Sequence, residues 1–237
     1  MELLVSVVVI GVAMAGITEL MWVNATWSTR MLNKTDNLNA AKFFLTRIGK
    51  DIRASKSIGD STNASPKFPP HSNIFTVGGD TLIIQIPLFD LNGFPIAATV
   101  GNGVISDVDT VVYYAKSDPR DSTGQTYQVM KSIYRGAGDA VLGNSLDQVV
   151  QNDVIGPIDK NTNKLAIFQY FDSSGGEIPL QRISGDFAAC STVTGVAVNL
   201  ELNKTGESST QINSVTTNRS NFVVKGEYFL RNKLLPG

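Results

Sequence analysis

The chain opens with an apolar run that continues almost unbroken from Leu3 to Val23. About 21 residues are enough for a helix to cross a hydrocarbon core of roughly 30 Å. No proline occurs before Pro66, and apolar residues recur beyond the run at helical spacing, at Leu38, Ala41, Leu45, Ile48 and Ile52. We therefore predict one continuous helix from Glu2 to Ser57, with charged residues on its other side at Arg47, Lys50, Asp51 and Arg53.

The polar and apolar positions change to a period of two after a segment rich in Gly, Ser and Pro, 57–72. This alternation predicts strands, of which Val196–Leu202 has the pattern of a half-buried strand. Strands that follow a single long helix indicate an α+β fold with an antiparallel sheet, divided into a helical stem, 1–57, and a β-rich globular domain, 58–237. The predicted strands are Thr81–Ile86, Asp109–Ala115, Tyr127–Tyr134, Leu165–Phe171, Val196–Leu202 and Phe222–Leu230.

Composition gives no sign of a nucleic-acid partner or of a disulfide framework. The 237 residues carry a net charge of −1 without a basic block, so nothing indicates a nucleic-acid partner. The single cysteine, Cys190, has no partner for an internal disulfide and is expected to be a small buried apolar residue.

Catalytic and metal-binding patterns are weak. The one histidine, His71, stands among prolines without a neighbouring acid or cysteine, which predicts a loop residue. The carboxylates of Asp118 and Asp121, and those of the segment Asp153–Asp159, could supply oxygen ligands to calcium. Neither segment matches an EF-hand loop, so surface turns are the preferred interpretation. We expect no catalytic residue, no cofactor and no metal, and hence no enzyme.

The apolar run itself has three interpretations: a cleaved secretory signal, a plain membrane anchor, or the first half of a longer stem. The absence of a basic residue ahead of the run argues against a signal, whereas the helical spacing beyond it favours a stem. Glu19 lies near the far end of the run beside Trp22 and Trp27. It fits either an interfacial position in an aromatic belt or a pairing role inside an assembly.

The first residues carry a family resemblance. The stretch from Met1 to Val12, with a carboxylate at Glu2 ahead of an apolar helix, resembles the mature N-terminus of type IV pilins and of type II secretion pseudopilins. In that family a basic leader ending in glycine is removed by a prepilin peptidase, and the new terminus is methylated. The resemblance therefore implies a leader and a cleavage site upstream of Met1.

Later segments are similar to the larger minor pilin-like subunits, the J-type pseudopilin and its W-type pilus counterpart. Major pilins usually close a loop with two cysteines, which the single Cys190 cannot do. The segments that carry this similarity are Arg47–Arg53, Thr110–Tyr114, Ser132–Arg135, Phe168–Asp172 with Gly175 and Gly176, and Tyr228–Asn232.

The resemblance implies a subunit of a helical filament that serves a pilus, a secretion system or DNA uptake. It implies that Glu2 meets the N-terminal amine of a neighbouring pilin-like subunit. The chain would cross the inner membrane once and then enter a cell-surface or periplasmic filament, with the β-rich domain outside the cytoplasm. The helix positions expected in the membrane and then in the filament core are Leu3, Leu4, Val5, Val8, Val9 and Val12.

Two other interpretations of Glu2 and of the chain stay open. A carboxylate near a helix N-terminus is also favoured by the helix dipole without any partner. The chain as a whole could be a single-pass anchored domain that binds an adhesion ligand through its loops.

Overall fold

The computed structural model of the chain describes residues 2–59, 76–87, 97–100, 103–106, 108–122, 124–134, 147–159, 164–184, 187–202 and 222–230. Its first element is helix α1, Glu2–Ala54, whose 53 residues give a length of about 80 Å at 1.5 Å per residue. The helix ends three residues before the predicted Ser57. Ser55 donates its hydroxyl to the Ile52 carbonyl at 2.6 Å, and the Lys56 amide already bonds to Gln85 of the sheet.

Within the described residues an antiparallel sheet of nine strands follows the helix, in the order β1-β2-β5-β6-β7-β12-β10-β11, with β13 paired to β12. Two short hairpins, β3–β4 and β8–β9, lie outside it. The α+β prediction is confirmed in this form. The strands are β1 Ser57–Ile58, β2 Thr81–Pro87, β3 Ala97–Val100, β4 Gly103–Ser106, β5 Val108–Ser117, β6 Tyr127–Tyr134, β7 Gln148–Gly156, β8 Ile158–Asp159, β9 Lys164–Leu165, β10 Phe168–Phe171, β11 Glu177–Ile178, β12 Gly195–Leu202 and β13 Phe222–Phe229.

The second half of α1 packs on one face of this sheet. Ala41, Leu45, Ile48 and Ile52 are buried, as their spacing predicted, and Phe44 joins them in the same core cluster. These positions recur every three or four residues, which keeps one face of the helix on the sheet. Asp51 was predicted on the opposite side with the other charged residues, and this was wrong: its carboxylate contacts β5 and β6.

Strand β12 is buried on both faces, so the prediction of a half-buried strand was wrong. Ala197 and Asn199, expected on a solvent face, are 4% and 7% exposed. Strand β13 pairs with the whole of one edge of β12, while β10 and β7 share the other edge. The side chains of a strand in the middle of a sheet are shielded by those of the neighbouring strands on both edges, in addition to whatever packs on the face of the sheet.

Several parts of the sheet domain were not predicted, among them the short strands β1, β3, β4, β8 and β11. Strand β7 has no clear alternation, because its register to β6 shifts at two points. The predicted strand Leu165–Phe171 is split into β9 and β10. The two short helices α2, Leu180–Ile183, and α3, Phe187–Thr192, lie between β11 and β12 and are too short for a sequence period to reveal.

Candidate assembly surface on the N-terminal helix

The first half of α1 stands outside the sheet domain. Val8, Val9 and Val12 are exposed along it, Val12 to 70%. Glu2, Leu3, Leu4 and Val5 belong to the helix by their backbone, but their side chains lie outside the described part of the structure. The predicted contact of Glu2 therefore stays a prediction.

This half of α1 is long and apolar enough to cross a membrane, and none of its most apolar 18-residue window is buried inside the protein. Its length and composition fit a single membrane anchor near the N-terminus. Glu19, Trp22 and Trp27 are all exposed on it. The hydroxyls of Thr18 and Thr26 each donate to the carbonyl four residues earlier at 2.8 Å, which satisfies them within the helix.

A partly buried ion pair joins the second half of α1 to the sheet. Asp51 accepts hydrogen bonds at 2.5 Å from both the Lys131 ammonium and the Tyr113 hydroxyl. The Lys131 side chain is only 6% exposed, and its Nζ lies 5.2 Å from the centre of the Tyr113 ring. Burial, with the negative charge of Asp51 beside it, raises the pKa of Tyr113, so this phenol stays a neutral donor.

A second contact fixes α1 on strand β13. The Tyr228 ring lies directly on Gly49, and its hydroxyl donates to the Leu45 carbonyl at 2.7 Å. Arg53 covers the same ring at 5.9 Å from its centre. A Cβ at position 49 would lie 2.3 Å from the nearest ring atom. The glycine therefore permits a close approach of helix and strand.

We expect Gly49→Ala to lower the free energy of unfolding of the sheet domain by about 1–3 kcal/mol, the usual cost of overpacking. The new methyl group would push Tyr228 away and break its bond to the Leu45 carbonyl. Chemical denaturation of the full chain in detergent measures this. Gly16→Ala is the matched control, since a Cβ there meets nothing within 4 Å; equal stability of the two variants would contradict the contact.

The face of α1 turned away from the sheet carries a further apolar strip, which we call the outer strip. It consists of Ile10, Met21, Leu32 and Phe43, which recur every eleven residues and are 59%, 69%, 62% and 70% exposed. Eleven residues make close to three turns of helix, so these side chains lie nearly in line. The sequence prediction missed the strip, although its eleven-residue period is visible in the sequence.

The candidate calcium ligands of the sheet domain are engaged with the protein itself. Asp118, 4% exposed, receives hydrogen bonds on both carboxylate oxygens from Arg120, the shortest at 2.6 Å. Asp121 accepts from the Gln125 and Thr126 amides in the same loop. No group of three metal-ligating side chains occurs among the described residues.

The second candidate segment is not a surface turn, which corrects that interpretation. Asp153 lies in β7 and receives a hydrogen bond from Asn37 of α1 at 3.4 Å. Asp159 lies in β8, opposite Lys164 of β9. The predicted loop residue His71 lies outside the described residues. Cys190 is buried, as predicted, and its thiol lies 3.6 Å from the Ile183 carbonyl.

The Asp118 ion pair predicts a stability that depends on pH. The hydrogen bond from Arg120 is the main cause that holds the pKa of Asp118 below the usual aspartate value of 3.8. Since the folded pKa lies below the unfolded one, the contribution is complete above about pH 4 and is lost as pH falls through the folded pKa. Asp118→Asn should therefore lose less stability than wild type as the pH falls below about 4, which acid titration of unfolding measures. An equal loss of stability by wild type and Asp118→Asn at acid pH would refute this prediction.

An open groove of about 530 Å³ lies between the β8–β9 hairpin and helix α2. Pro157, Pro179 and Leu180 contribute apolar surface to it, and Gln169 and Glu177 contribute polar groups. The buried Asn199 donates to the Gln169 side chain at 2.8 Å and so fixes the orientation of that carboxamide.

Comparison with known proteins gives no relative: no family model, no curated protein and no solved structure matches this chain.

Proposed function

We propose that this chain is a pilin-like structural subunit, a minor pilin or pseudopilin, of a type IV pilus, type II secretion or DNA-uptake filament. The observation that carries the proposal is the outer strip. It starts in the apolar half of α1 and continues into the half that is docked on the sheet domain.

Lipid alone does not account for this strip. Phe43 follows Val23 by 20 residues, so it lies about 30 Å beyond the end of the apolar run along the helix axis. A membrane that covers the run leaves Phe43 in water, with 70% of its surface exposed. A neighbouring helix packed along the stem would cover all four strip residues. Apolar side chains that recur every eleven residues along one line of a helix are the kind of pattern by which long helices pack side by side.

The length of α1 supports the same conclusion. Among the described side chains of the helix, those shielded by the sheet domain start at about Lys34. The preceding part adds nothing to that core, and a membrane span accounts for about 21 of its residues. The resemblance of the residues around Glu2 to pilins adds a way of setting the stagger between subunits, through the charge of that carboxylate.

A photo-activated cross-linker placed at Phe43 tests the proposal in the native cell. We expect it to capture chains that, by mass spectrometry, themselves begin with an apolar helix headed by glutamate. The matched control carries the same cross-linker at the exposed Glu177, on the sheet domain, where no such capture is expected. Cross-links from Phe43 that reach only unrelated proteins would refute the filament proposal.

The groove beside α2 favours a second candidate, an anchored domain that binds an adhesion ligand. Its volume lies within the range of small-molecule sites, roughly 300–1,000 Å³, and the oriented Gln169 carboxamide is a fixed polar contact. This candidate predicts no pilin-like chains among the Phe43 cross-links, so the same experiment separates the two functions.

A further inference from the structure

Within the part of the chain that the structure describes, strand β13 forms an edge of the sheet. Among the described residues only β12 pairs with it, along all eight of its positions. Its side chains alternate, with the exposed set, Val223, Lys225, Glu227 and Phe229, on the face away from α1. An edge strand offers a row of backbone donors and acceptors to another strand. The side chains on such an edge decide which strand fits.

The sequence of β13 is complementary to itself in the antiparallel direction. With Gly226 opposite its own copy, Lys225 of each strand faces Glu227 of the other. Val223 then faces Phe229, two side chains that are 59% and 52% exposed in the single chain. Opposite charges and aromatic–β-branched pairs are the cross-strand neighbours that stabilise sheets. Within the described residues neither Lys225 nor Glu227 takes part in a salt bridge.

The direction of α1 fixes the geometry of such a pair. Lys34 of α1 lies over the Phe222 ring at one end of β13, and Leu45 bonds to Tyr228 at the other. Helix and strand therefore run in the same direction. When two copies of β13 pair antiparallel, their N-terminal helices point in opposite directions. Two chains anchored in one membrane cannot do this, whereas chains on two facing membranes or filaments can.

We infer that β13 is a homotypic adhesion site, which binds the same strand of a second copy presented from an opposing surface. The pairing is isologous, so each contact occurs twice about a two-fold axis through the Gly226 pair. One short strand pair is a small interface and binds weakly. Many copies on facing surfaces strengthen it by multivalency. The inference is independent of the filament proposal, because an anchored domain would present β13 in the same way.

Vesicles that carry the full chain with its sheet domain outside test the inference. Vesicles with donor and acceptor dyes are mixed, and docking is read as energy transfer. Wild-type vesicles should dock with each other. Either Lys225→Glu or Glu227→Lys alone places like charges opposite each other in both of the facing 225–227 pairs. Docking should therefore weaken roughly tenfold or more.

The decisive arm mixes the two single variants. Vesicles with Lys225→Glu should dock with vesicles carrying Glu227→Lys, because every facing pair is then opposite in charge. The double variant should dock with itself. Thermal unfolding is expected to be unchanged in each variant, since both side chains are exposed. Failure of wild-type vesicles to dock, docking by single variants at the wild-type level, or failure of the mixed arm would each overturn the inference.

Discussion

Replacing Asp51 by alanine should lower the free energy of unfolding by about 3 kcal/mol, the largest stability loss we expect from one substitution. Without this carboxylate the Lys131 ammonium, 6% exposed, stays in the core without its counter-charge. The Tyr113 hydroxyl loses its acceptor at the same time. We place the value at the low end of the range for broken buried pairs because Asp51 itself is 20% exposed. Chemical denaturation of the full chain in detergent is the measurement.

A second variant distinguishes the loss of the ion pair from a loss of packing around Asp51. Replacing both partners, in Asp51→Ala with Lys131→Met, removes the unpaired charge, and most of the lost stability should return. The double-mutant cycle then gives the coupling between the two residues. A double variant no more stable than Asp51→Ala would show that the loss comes from packing and not from the buried charge.

The sequence predicted the elements whose period is long and regular. Helix α1 and the strands β2, β5, β6, β12 and β13 lie where apolar spacing or a run of β-branched and aromatic residues placed them. Strand β7 escaped prediction because its register to β6 shifts and its burial does not alternate. Short elements such as α2 carry too few residues for any period.

Predicting the candidate site from sequence was less successful, for a physical reason. Charge alone placed Asp51 on the outside of the stem, since an aspartate is rarely buried unless it is paired. Its partner Lys131 is 80 residues further along the chain, so only the folded sheet brings the two together. The outer strip was missed for the opposite reason: at Leu32 and Phe43 single apolar residues stand among polar ones. Their eleven-residue period becomes informative only when the docked face is known.

Under the filament proposal, replacing Glu2 by alanine should impair incorporation of the chain into the filament while leaving membrane insertion intact. In a bundle of apolar stems, a carboxylate paired with the N-terminal amine of a neighbour is desolvated, and removing one such partner costs about 3–5 kcal/mol. That corresponds to a loss of more than a hundredfold in assembly at equilibrium. Insertion depends on the apolar run, which the substitution does not shorten. The ratio of filament to membrane fractions in cells measures the effect.

Glu19→Ala is the matched control, since it also removes one carboxylate from the exposed half of α1. An assembly defect confined to Glu2→Ala places the essential charge at the head of the helix, where the stagger between subunits would be set. Equal defects in both variants would point to a general need for negative charge along the stem. Normal incorporation of Glu2→Ala subunits would contradict the pilin-like role of Glu2. Its carboxylate would then only interact favourably with the positive end of the helix dipole.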